Sequence, residues 1–167
     1  MTVVADSGPL IHLSIVHQFQ LLKTFFQSCS TIAPVVEEVV TQGNGRPGEA
    51  ELRQAMHDQW IRLVPVTDQA LIQRLTAPTL SEVDSTVIAC ALEIQAAAVL
   101  SDDQAVRRLA AREGLAVIGT VGILTHARMT GLVEALKPLL DELIANGFFL
   151  DPAGRIYQDA LRKAGER

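Results

Sequence analysis

Two hydrophobic periods alternate along this chain. Short clusters rich in Val, Ile and Leu read as strands, and longer stretches with apolar residues every three or four positions read as helices. Thr2-Val3-Val4-Ala5 is the first strand, stopped by Asp6-Ser7-Gly8-Pro9, where Gly8 and Pro9 are expected to turn the chain. Leu10-Ile11-His12-Leu13 starts a helical stretch, and Phe19, Leu22 and Phe26 predict a second helix over 18–26. A strand is expected over 30–33, with Pro34 in the first turn of a helix carrying 35–40. The Gly-rich segment 42–48 is a loop, 49–59 a polar helix, and 61–66 an edge strand containing Pro65.

Beyond these, a short helix over 68–75 precedes a loop at 76–79. Ser81 then heads a helix to 94, and Asp84 stands three residues on, as a capping box requires. The run 97–101 is a buried strand, after which Asp102 and Asp103 open a helix ending at Gly114. The last strand covers 115–119, and helices are expected over 121–130, 133–145 and 152–164. Strands alternating with helices predict an α/β fold, a three-layer α/β/α sandwich with a mainly parallel sheet. No internal repeat or dividing linker interrupts it.

Composition agrees with one soluble domain: 167 residues, 49% hydrophobic and 20% charged. That profile excludes bulk disorder. The apolar runs are too short to span a bilayer, and the start lacks a basic, apolar leader, so a cytoplasmic protein is expected. Cys29 and Cys90 lack metal-ligand spacing and are expected to be buried thiols. The formal net charge of −5 argues against binding nucleic acid by bulk electrostatics. Where the acids sit therefore becomes the main question.

Most acids lie on amphipathic helices, as solvated faces do. Asp6 instead follows the first strand directly, and Asp102 and Asp103 follow the strand that ends at Ser101. In open parallel sheets such positions face the crevice beyond the strands' carboxyl ends. Glu37 and Glu38 lie early in the helix after the second strand, and Asp84 lies in the first turn of its own. Singly, each is explained by helix capping or the helix dipole. Together, carboxylates from separate segments in one crevice repel unless a cation stands among them. The scattered histidines (His12, His17, His57, His126) do not suit zinc, whereas oxygen-only ligands suit Mg²⁺ or Mn²⁺.

These segments resemble the PIN-domain nucleases, especially the VapC-type toxins, from Val3 to about Leu132. Val3-Val4-Ala5-Asp6-Ser7-Gly8-Pro9-Leu10-Ile11 is similar to the family's first strand and acid. Ile32 to Val39 is similar to the segment bearing its glutamate, with Glu38 the better match and Glu37 the fallback. Glu82 to Ala89 resembles the third acidic motif, at Asp84, and Leu100-Ser101-Asp102-Asp103 the fourth, with Asp103 closer than Asp102. Ser81-Glu82 and Gly8-Pro9 depart from the usual pairs, which bears on substrate choice and not on the acids.

The resemblance implies a metal-dependent ribonuclease acting on single-stranded RNA, the toxin of a toxin–antitoxin pair. Asp6, Glu38, Asp84 and Asp103, with Asp102 near, would hold Mg²⁺ or Mn²⁺, with Ser7 and Ser101 orienting ligands or water. It also implies an antitoxin partner and a homodimer, for which the apolar helices around 10–16 and 139–144 offer surfaces that core packing explains equally well. On this reading residues 1–132 form the PIN-like domain and 133–167 a helical extension packed on it.

Positive charge for RNA is sought in 104–140, where Arg107, Arg108, Arg112, Arg128 and Lys137 against Glu113 and Glu134 give 5 − 2 = +3. Arg107, Arg108 and Arg112 are the expected phosphate contacts. Trp60 and Tyr157 lie outside the motifs, so no base-stacking platform is expected. Two other readings stand beside this one. A catalytically silent PIN-like binding module would keep the fold without the chemistry. A phosphoacceptor receiver domain would need a lysine near a late strand end, and Lys23, Lys137 and Lys163 are not there.

Overall fold

The computed structural model describes residues 1–78 and 80–167; the expected loop at 76–79 thus has its last residue, Thr79, outside the described part. Among the described residues, five strands form one sheet: β1 (Thr2–Ala5), β2 (Ser28–Thr31), β3 (Ile61–Leu63), β4 (Ala98–Leu100) and β5 (Ala116–Ile118). Their order is β3-β2-β1-β4-β5, and every pairing is parallel. β1 is central, with Val3, Val4 and Ala5 all fully buried, as a strand covered on both faces requires. The chain first builds outward from β1 through β2 to β3, then crosses back to place β4 on the other side of β1. The sheet's switch point therefore lies between the carboxyl ends of β1 and β4, where open α/β sheets form their sites.

Helices α1 (Ser7–Ile15), α2 (Leu21–Phe25), α3 (Ala33–Val36), α4 (Glu49–His57) and α5 (Gln69–Leu75) belong to the first half. α6 (Glu82–Glu93), α7 (Gln104–Arg112), α8 (Thr120–Met129), α9 (Lys137–Ala145) and α10 (Arg155–Lys163) follow. α6 packs between α5 and α7, while α1 packs with α8 and α9, and α10 on α8. The helical layers on the sheet give the α/β/α sandwich. Leu10, Leu13, Leu140 and Leu143 are fully buried, so the apolar faces of α1 and α9 are spent on one another and on the core. Cys29 and Cys90 are free and buried, and burial pushes the Cys29 thiol up to about 12. No helix among the described residues is long and apolar enough to cross a membrane.

Several boundaries differ from the sequence expectation, each for a local reason. Gly8 and Pro9 do not turn the chain; they sit in the first turn of α1, where a missing proline N–H removes no helical bond. The second helix is shorter than 18–26, because His17 takes a left-handed φ of 55° and the Gln18 N–H bonds back to Leu13. The second strand lies two residues early, at Ser28–Thr31, since the helix that Pro34 favours already begins at Ala33. The helix expected from 133 begins at Lys137, where Glu166 accepts the N–H groups of Leu136 and Lys137 in place of a local cap. The last helix waits until Arg155, because Asp151 folds residues 151–154 into a turn with bonds from Ala153 and Gly154.

The most consequential difference concerns 35–40. The α-helix ends at Val36 and continues as a π-helical segment, Glu37–Gln42. Wider turns of this kind recur at functional sites, because they change where a side chain points without breaking the rod. Gly43 makes this one possible: a Cβ there would collide with the Val39 carbonyl oxygen and lie 3.3 Å from that of Glu38. Gly43→Ala should therefore destabilise the protein by about 1–3 kcal/mol through overpacking against backbone. Urea titration checks this, and a change below a few tenths would show that the segment yields easily.

Candidate functional site

At the switch point the chain makes an open cleft of about 770 Å³. Asp6, Glu38, Asp84, Asp102 and Asp103 all line it, contributed by the ends of β1 and β4, the π-helical segment and the start of α6. Glu37 does not line it, so the π-helical register selects Glu38 of the adjacent pair. Among the described residues, neither Lys nor Arg lines the cleft. The expected convergence of four separated segments is thus present in space.

Asp6 is the deepest of these, only 7% exposed. Its Oδ1 accepts the Ser7 N–H at 2.7 Å, and its Oδ2 accepts the Ser101 hydroxyl at 2.9 Å. Burial nonetheless raises its pKa from the usual 3.8 to about 6, and the charges of Asp84 and Glu38 push in the same direction. The two hydrogen bonds act the other way but do not prevail. Ser101, fully buried, also accepts the Asp103 N–H at 3.2 Å, so one hydroxyl ties the first acid to the fourth. Ser7 lines the cleft itself and supplies Asp6 with its backbone amide.

The other acids carry local duties that leave acceptor capacity. Asp84 completes the capping box: its Oδ2 accepts the Ser81 N–H at 3.0 Å, and Ser81 Oγ accepts the Asp84 N–H at 3.1 Å. Asp103 caps α7 with Oδ1 alone, accepting from Ala105 and Val106 at 2.6 and 3.0 Å. Asp102 differs. Its Oδ1 accepts the Thr120 N–H at 2.7 Å, and its Oδ2 accepts the Thr120 hydroxyl at 2.6 Å and meets His12 Nδ1 at 2.8 Å. This carboxylate clasps α1 and α8 to the end of β4. With three bonds on its two oxygens, against two on those of Asp6, it is the poorest donor of the five for an added ion.

Carboxylate oxygens with no Lys or Arg among them suit a hard divalent cation. In the present side-chain positions, no three His, Cys, Asp or Glu groups among the described residues stand close enough to share one ion. The donor types fit; the exposed Glu38 and Asp103 and the half-buried Asp84 would have to draw toward Asp6 on binding.

The three arginines expected to grip phosphate do not enter this cleft. Arg107 reaches back to the Val117 carbonyl at 3.3 Å. Arg108 and Arg112 line a second, smaller cleft with Arg74, whose guanidinium makes a two-pronged pair with Glu113 at 3.0 and 2.9 Å. Arg128 is held by Glu166 and Lys137 by Asp141, so much of the local +3 is answered at short range.

Residues that the sequence reading left out complete the cleft wall. His12 stands on α1 beside Asp102, and Gly147, Phe148 and Phe149 follow α9. The expectation of no stacking surface rested on Trp60, which packs against Phe19, and Tyr157, which is buried. The adjacent pair Phe148-Phe149 after a glycine was the signal available.

Comparison with known proteins agrees with this architecture. A family model described as DUF3368, PIN domain, matches residues 2–166. Among solved structures, the chain is similar to a PilT N-terminus domain protein from the hyperthermophilic archaeon Sulfolobus solfataricus. The TM-score is 0.52 at 12% identity, over 90% of this chain and 98% of that one, a likeness of fold. No curated protein matches.

Proposed function

This chain belongs to the PIN domain family, and on that premise we propose that it is a metal-dependent ribonuclease hydrolysing phosphodiester bonds of single-stranded RNA. One observation carries the reading: a buried Asp6, pushed up to about 6, shares a cleft lacking Lys and Arg with Glu38, Asp84 and Asp103. An acid kept in such company costs stability, and a divalent cation reverses that cost. Asp6, Glu38, Asp84 and Asp103 would hold Mg²⁺ or Mn²⁺, with Asp102 holding the wall in shape. Bound there, the ion would polarise a phosphoryl oxygen and lower the pKa of water. Ser101 fixes the orientation of Asp6 and the backbone of Asp103 through its one hydroxyl, and the Ser7 amide fixes the other Asp6 oxygen. No side chain needs to act as nucleophile.

The finer assignments belong to the same proposal. On this reading the chain would be a VapC-type toxin working in the cytoplasm with a protein antitoxin, as a homodimer. Residues 133–167 then form a helical extension on a PIN-like domain, joined to it by the packing of α9 on α1 and α10 on α8. Arg108 and Arg112 would meet RNA outside the acidic cleft.

The test is cleavage of a mixed-sequence single-stranded RNA by the purified full chain. Activity is expected with Mn²⁺ or Mg²⁺ and should vanish with chelator. Mn²⁺ binding by calorimetry without any cleavage across a broad RNA panel would leave a silent module instead. Absence of both binding and cleavage would remove the metal reading as well.

A further inference from the structure

Phe149 is fully solvent-exposed, at 101% of its reference area, on a chain whose aromatic content is only 4%. Leaving such a ring in water forgoes the stabilisation that burial gives. It is not on a loose end. The helix α9 closes in a Schellman motif: the Gly147 N–H bonds the Ile144 carbonyl at 3.0 Å and the Phe148 N–H bonds that of Leu143 at 2.9 Å. Gly147 takes the left-handed φ of 90° that this closure requires. Phe148 then packs edge-on against His12, with ring centroids 4.6 Å apart, and Leu150 packs on the core. Phe149 is thus presented outward between two anchored neighbours, at the wall of the acidic cleft.

We infer that Phe149 is a substrate-positioning residue on which an unpaired nucleobase stacks while its phosphate enters the acidic cleft. The inference rests on the ribonuclease reading and deepens it. A cleft lined by carboxylates, with Arg107, Arg108 and Arg112 turned elsewhere, offers RNA little direct electrostatic attraction of its own. Base–aromatic stacking supplies affinity without positive charge and tolerates any base, since each has a π face. It would also favour single strands, because bases in a duplex are already stacked on their neighbours. An exposed Phe mounted rigidly at the rim is the feature such a site needs, since little freedom is lost when the base arrives.

Wild type, Phe149→Ala, Phe149→Leu and Phe149→Trp would be compared in Mn²⁺ on one single-stranded RNA, separating KM from kcat. The Ala and Leu variants should raise KM roughly 5- to 100-fold with kcat little changed, and Trp should restore wild-type KM. Quenching of a 2-aminopurine base in the same RNA should be lost in Ala and Leu and kept in Trp. Because the ring is exposed, Tm should not move in any variant. Unchanged KM in Phe149→Ala, or rescue by Leu as good as by Trp, overturns stacking while leaving the ribonuclease reading intact. Dissociation of a wild-type dimer by Phe149→Ala in sedimentation assigns the ring to a protein contact and also overturns it. A wild type that cleaves no RNA removes the ribonuclease reading, and this inference with it.

Discussion

Asp6→Asn should abolish metal-dependent RNA cleavage and, in metal-free buffer at pH 7, make the protein more stable than wild type by about 1–3 kcal/mol. The sign follows from linkage. Burial raises the folded-state pKa of Asp6 to about 6 from an ordinary 3.8. Between those values the folded state binds a proton that the unfolded chain has released, so stability falls as pH rises through that window. Above it the full cost of the buried charge is present. Asn removes the charge yet keeps an oxygen for the Ser7 N–H, and the Ser101 hydroxyl can reverse to accept from the amide. Denaturant titrations of both proteins from pH 4 to 7.5 should diverge across the window and stay apart above it. Mn²⁺ should raise the stability of wild type, by about 2.7 kcal/mol at a hundredfold excess over Kd, and leave the Asn variant unmoved. Equal stability at pH 7 with parallel pH profiles would show that the charge is not strained.

Asp102→Ala should be the most damaging single change at the cleft to the fold itself, by about 3–4 kcal/mol, or roughly 10 °C in Tm. Thr120 is fully buried, and both its N–H and its hydroxyl rely on this carboxylate. Removing the acceptor strands two buried donors and frees His12 from its partner. Asp103→Ala, by contrast, removes one helix cap and should cost about 1 kcal/mol. Thermal unfolding of the two variants without metal separates the roles of these adjacent acids. If Asp102→Ala melted no lower than Asp103→Ala, the clasp would not be structural.

The acids were legible in the sequence because strand ends and capping positions are local features. Asp6 after Ala5, Asp84 three residues after Ser81, and Asp102-Asp103 after Ser101 each declare their place by what flanks them. The choice of Glu38 over Glu37 was not legible from α-helical periodicity, since the π-helical segment changes the phase between them. Nor was the role of Asp102, whose partners His12 and Thr120 are 90 and 18 residues away. Strand alternation gave the layers, but the order that puts β1 between β2 and β4 depends on pairings no local pattern encodes. The cleft's aromatic wall lay beyond the motifs altogether, brought there by the packing of α9 on α1.

The placement of β1 in the sheet bears on when the acidic cleft is assembled during synthesis. β1 pairs with β2 once the crossover carrying α1 and α2 has folded, but its other edge waits for β4, and Asp6 meets Ser101 across 95 residues. That closure is among the slow, high-contact-order events of folding. A nascent chain therefore carries its first two acids for most of translation without a working site. On the ribonuclease reading proposed above, catalytic competence would arrive as a late, all-or-none step, leaving a ribosome-bound fragment harmless to the RNA around it.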